Sequence, residues 1–124
     1  INAADTPRLS VGAADVETGN SRYFDSAHET IRPEHIMASG ALPPAFPAME
    51  IEGRRYWDGG VVSNTPLSRV WHETPRRDTL VLQVDLWSAR GAHPQTMVDV
   101  FERQKDLLYS RRTRTITVFG AQLQ

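Results

Sequence analysis

The tripeptide Asp58-Gly59-Gly60, directly after Arg54-Arg55-Tyr56-Trp57, places a carboxylate on a tight turn between a strand-like segment and two glycines. A carboxylate fixed in that way can take the proton of a hydroxyl held against it, and a hydroxyl needs such an acceptor to become a useful nucleophile at neutral pH. The glycines allow another stretch of backbone to approach closely. Asp-Gly is also a common tight-turn dipeptide, so in isolation the same residues read as a solvated turn.

One place where such a hydroxyl is found is the serine of a G-x-S-x-G elbow, where glycines relieve crowding at the strand-to-helix turn. Two segments approach that pattern. Arg8-Leu9-Ser10-Val11-Gly12 lacks the first glycine, and Met37-Ala38-Ser39-Gly40-Ala41 lacks both. Neither Ser10 nor Ser39 is predicted to be a nucleophile, and no glycine-rich loop suited to an oxyanion hole is present.

Other residue types carry less. Asn64 can orient the loop bearing Asp58 or satisfy nearby backbone as an ordinary loop residue, and the second role is expected. His28, His35, His72 and His93 show no metal-ligand spacing and read as surface residues, so no metal site and no cofactor are expected. Arg111, Arg112 and Arg114 can meet anionic headgroups, but cations near a helix C-terminus complement its dipole without any ligand. Trp57 can line an acyl pocket or fill a half-buried position, and Pro43, Pro44 and Phe46 can border a pocket or only shape their loop.

The elements that must position Asp58 follow from pattern. Residues 9–16 are small and apolar without alternation, as in a strand covered on both faces of a largely parallel sheet. Thr18-Gly19-Asn20-Ser21 is a turn cluster that folds residues 15–25 into a hairpin. Pro33 opens a short helix stopped by Gly40, and three prolines stiffen residues 41–47. Met49-Glu50-Ile51 and Arg54-Arg55-Tyr56-Trp57 flank Glu52-Gly53 as a second hairpin, with glycine left-handed. Thr65-Pro66 reads as an N-cap followed by proline at the first helical position. Residues 79–86 form the strongest strand signal, apolar and β-branched; an amphipathic helix is expected from about Pro94, and residues 115–119 as a further strand.

Composition sets the bounds. The 124 residues suffice for one modest domain or part of one. A net charge of −1, from 14 basic and 15 acidic residues, supplies no field to attract nucleic acid. Cysteine is absent, which excludes disulfides and thiolate metal sites. No apolar run approaches the roughly 20 residues that span a bilayer, and both ends read as cut from a longer chain.

Taken together, Ala38-Ser39, Ala41-Leu42-Pro43, Phe46-Pro47, Gly53, Tyr56, Asp58-Gly59-Gly60, Asn64 and Pro66 resemble the C-terminal half of the patatin-like phospholipase family. Asp15-Val16-Glu17-Thr18-Gly19 resembles the strand and turn before that block, so the likeness is clearest over residues 8–70 and loose beyond Trp71. The resemblance implies an α/β fold, the C-terminal part of a patatin-like sheet flanked by helices with largely parallel strands, with residues 1–124 forming part of one hydrolase domain. It also implies a serine-aspartate dyad without histidine, in which Asp58 is the catalytic base, supported by Gly59, Gly60 and Asn64, and no cofactor or metal takes part. The expected partners are a lipid or fatty acyl ester and the missing N-terminal half of the domain. Peripheral membrane contact, a cytoplasmic or peripheral location, and self-association of the exposed sheet edge belong to the same reading. The chain alone, lacking the nucleophilic serine, is expected to be inactive. A non-catalytic lipid-binding or interaction module on the same scaffold is the alternative.

Overall fold

A computed structural model describes residues 2–75, 78–84 and 86–122, with side chains through Ser110. The chain forms two units, Ile1–Ser63 and Asn64–Gln124.

The first unit is a four-stranded sheet with one helix on one face. The strands are β1 (Ser10–Asp15), β2 (Ser21–Asp25), β3 (Met49–Ile51) and β4 (Arg54–Asp58), in the order β2-β1-β4-β3. Every neighbouring pair is antiparallel. This corrects the expectation of largely parallel strands, and the reason is physical. The apolar run in β1 reports burial on both faces, since Ala13 is fully buried on one and Ala14 nearly so on the other. It carries no information about the direction of the neighbours. Two of the three pairings are closed by tight turns, which can join only antiparallel strands.

Both hairpins form where the turn residues placed them. Asp15 accepts the amides of Glu17 and Thr18 on Oδ1, each at 3.0 Å, and Gly19 takes φ +70°. At the second turn Glu52 and Gly53 have φ of 53° and 77°. Two successive left-handed residues give the twist that matches a two-residue hairpin.

Helix α1 (Pro33–Ser39) starts on its proline and ends at Gly40. It covers the face carrying Ala13, Phe24, Ile51 and Tyr56, and Ala38, fully buried, joins them with Ile31 to make the core. An alanine on each side permits close helix-to-sheet approach.

In the second unit, α2 (Leu67–Trp71) is capped by Pro66, not by Thr65 with proline inside the helix as expected. The Leu67 amide donates to the Thr65 carbonyl at 2.8 Å, and Pro66 has φ −80° and ψ 58°. That is an inverse γ-turn, which holds proline one step short of helical geometry. Helix α3 (Met97–Gln122) begins with a reciprocal cap. Thr96 Oγ1 accepts the Asp99 amide at 3.2 Å, and Asp99 Oδ2 accepts the Thr96 amide at 2.9 Å. The helix runs through residues 115–119, which are therefore not a strand. Arg111, Arg112 and Arg114 lie inside it and not near its C-terminus; their side chains are outside the described residues.

The run 79–86 forms no strand among its described residues, which exclude position 85. Leu80, Leu82, Val84 and Leu86 are 78–86% exposed. Apolar, β-branched sequence specifies a need for burial, whereas a strand exists only with a partner to complete its backbone hydrogen bonds.

Candidate functional site

Asp58 is the last residue of β4 and pairs directly with Ala13 of β1. Directly opposed residues of an antiparallel pair share a face, so Asp58 lies on the side of the sheet that α1 covers. Trp57, opposite Ala14, lies on the other side. Pleat alternation thus separates this half-buried ring from Asp58.

Three contacts fix the Asp58 turn. Its amide donates to the Ala41 carbonyl at 3.0 Å. Its Oδ1 accepts the Gly60 amide at 2.7 Å, capping the 3₁₀ turn Gly59–Val61. Gly59 lies on the backbone of β1, where a Cβ would stand 2.5 Å from the Gly12 carbonyl oxygen and 3.1 Å from the Ala13 nitrogen. The other carboxylate oxygen of Asp58 accepts no hydrogen bond among the described residues.

Two further aspartates on the same sheet are committed to structure. Asp25, buried, receives Arg8 through Nε and Nη2, both at 2.7 Å, and the Ala27 amide at 2.9 Å. Asp15, buried at the far end of β1, adds Arg54 Nη1 at 2.8 Å to its two turn amides. The Thr18 amide first, then Arg54 and the Glu17 amide, hold the Asp15 carboxyl below the usual carboxylate range against an opposing effect of burial. Asp58, by contrast, is half-buried and is anchored through one oxygen among the described residues.

The segment 41–47 adjoins the turn through Ala41. It is held by the Phe46 amide on the Leu42 carbonyl at 3.1 Å and includes a cis Pro43-Pro44 bond. Phe46 is 60% exposed and Pro44 is exposed, while Leu42 and Pro43 are half-buried. The segment therefore offers apolar surface beside the Asp58 strand end.

The other sequence candidates fall as follows. Asn64 opens the second unit in a bend, half-buried, with no side-chain hydrogen bond among the described residues. Ser10 starts β1 and Ser39 ends α1, so neither sits on a strand-to-helix elbow. His28, His72 and His93 are exposed. His35 corrects the expectation for it: 2% exposed, it stacks on Phe24 at 4.3 Å between ring centroids. Its signal was its place at the third helical position after Arg32, where a side-chain acceptor can reach back to cap the helix. The partners Gly12 and Ala41 were not anticipated, because both act through main-chain carbonyls that residue type does not reveal. No group of three or more acidic or histidine side chains is set to hold a metal ion among the described residues.

A four-stranded sheet with a helix on one face makes this an α/β protein, with the Asp58 carboxylate held at a strand end beside glycine. The family model for patatin-like phospholipase matches residues 5–71, more than half of the sequence, and the chain belongs to that family. No curated protein matches it. No helix among the described residues is long and apolar enough to cross a membrane.

Proposed function

We propose that Asp58 is the general base of a serine-aspartate lipid acyl hydrolase, serving a serine that these 124 residues do not supply. The observation that carries this reading is the Asp58 carboxylate, pinned through Oδ1 to the Gly60 amide while its second oxygen accepts no hydrogen bond among the described residues. In the reaction, the serine Oγ attacks the acyl carbonyl as its proton passes to Asp58. That proton leaves with the alcohol, and water then hydrolyses the acyl-enzyme by the same route. The substrate class is a fatty acyl ester, by family membership. The partners proposed with this reading are a part of the domain that bears the serine and a second copy of the chain meeting the exposed Leu80, Leu82, Val84 and Leu86.

The second reading, a lipid-binding or interaction module, draws on the same Oδ1 contact, which an ordinary turn aspartate also makes. One experiment separates them. In protein that includes the serine, Asp58→Asn is expected to lower ester turnover by roughly 10²–10⁴-fold. A serine-directed phosphonate should label the parent protein and label the variant far more slowly. Unchanged turnover in the variant removes Asp58 as the base.

A further inference from the structure

We infer that His35 is a positioning residue for Asp58, acting as the acceptor that caps α1; this rests on the reading of Asp58 as the base. The Arg32 amide donates to His35 Nδ1 at 3.2 Å, and the His35 amide returns a bond to the Arg32 carbonyl at 3.1 Å. The imidazole takes the place that Glu or Gln fills in the usual capping box. A seven-residue helix has little intrinsic stability, so its order depends on its ends and its packing.

The far end of α1 leads directly to the site. Gly40 closes the helix, and the next residue, Ala41, is the acceptor for the Asp58 amide at 3.0 Å. A second connection runs through rings. His35 lies flat on Phe24, with 5° between planes, and Phe24 meets Tyr56 edge-on at 5.5 Å. Tyr56 stands two residues before Asp58 on the same strand and face. His35 thus belongs both to the helix that leads into the Asp58 amide acceptor and to the ring stack that reaches Tyr56 on the strand that presents its carboxylate. Loss of the acceptor loosens the start of α1, and the looseness reaches Asp58 through Ala41.

The test uses amide hydrogen exchange on the full 124-residue chain. His35→Phe keeps a ring on Phe24 and removes the acceptor; His35→Gln restores the acceptor in the usual capping-box form. The expected result is exchange about tenfold faster at Arg32 and Asp58 in the Phe variant, on the scale of a lost helix cap, with Gln close to the parent. The reference amides are Asp15, bonded to Asn20, and Ser26, bonded to Leu9, in the β1–β2 part of the sheet. An equal rise at those references marks His35 as a core residue only and overturns the inference, as does an unchanged Asp58 amide in the Phe variant. Failure of the dyad is distinguishable, because unchanged turnover in Asp58→Asn leaves the exchange result where it stands.

Discussion

Gly59 rests on the carbonyl of Gly12, so the end of β4 is built against the middle of β1 without room for a side chain. A Cβ at Gly59 would lie 2.5 Å from that oxygen, and the obstacle is backbone that no rotamer change can move. Gly59→Ala must therefore separate the strands or twist the Asp58 turn. The expected cost is about 1–3 kcal/mol, as for other overpacked sites. Urea unfolding of the variant measures it, and a value within error of the parent contradicts the placement of the turn. Gly53→Ala makes a useful contrast, because there the space is open and only φ of +77° opposes a side chain.

Asp58→Asn should separate stability from chemistry. The Asn carbonyl oxygen can replace Oδ1 as acceptor for the Gly60 amide. Unfolding free energy is thus expected to change by no more than about 0.5 kcal/mol. Asp58→Ala loses the cap as well and should cost about 1 kcal/mol. Equal stabilities for Asn and Ala would show that the 2.7 Å contact contributes nothing to the fold.

Asp15 gives the fold a defined acid sensitivity. Its carboxyl is held below the ordinary range, chiefly by the Thr18 amide, with Arg54 and the Glu17 amide adding to the shift. The unfolded chain therefore binds the proton more readily than the folded one, and stability rises with pH through this window. The contribution is complete above the unfolded value of about 4 and is lost as pH falls through the lowered folded value. Asp15→Asn should flatten the melting temperature against pH below about 4. A parent profile already flat there would contradict the assignment.

Phe24 joins the two ring contacts that connect α1 to β4, stacked on His35 and edge-on to Tyr56. At 2% exposure it has no water to fall back on. Phe24→Ala should cost about 3–5 kcal/mol, and Phe24→Leu clearly less because most of the volume is kept. Thermal unfolding distinguishes the two, and similar losses for Leu and Ala would mean that ring geometry outweighs filled space.

What the sequence revealed depended on how local the cause was. Both hairpins and α1 follow from turn residues and proline within a few positions, and all three formed. Strand direction is not local: β1 has the same small apolar residues whichever way its neighbours run, and the antiparallel sheet was missed for that reason. At the site, Asp58 and its glycines were visible through residue type. The carbonyls of Ala41 and Gly12 that hold them were not. His35 was misjudged because burial of a histidine depends on a distant partner, Phe24, and not on its own neighbours in sequence.

The run 79–86 is the strongest apolar segment, yet its alternate residues Leu80, Leu82, Val84 and Leu86 stand 78–86% exposed. Such a segment, β-prone and in no strand among its described residues, can add to a strand of another chain and bury the leucines there. Association of the chain at tens of micromolar is the expected outcome, seen by sedimentation velocity as species larger than 13.9 kDa. A single charge in the middle of the run opposes stacking with an identical copy, so Leu82→Lys should shift the distribution toward monomer. The exposed position makes the substitution nearly neutral for the folded units themselves, within about 0.5 kcal/mol. A parent chain that sediments as monomer across the same range would show that the run does not pair with a second copy, whatever the variant does.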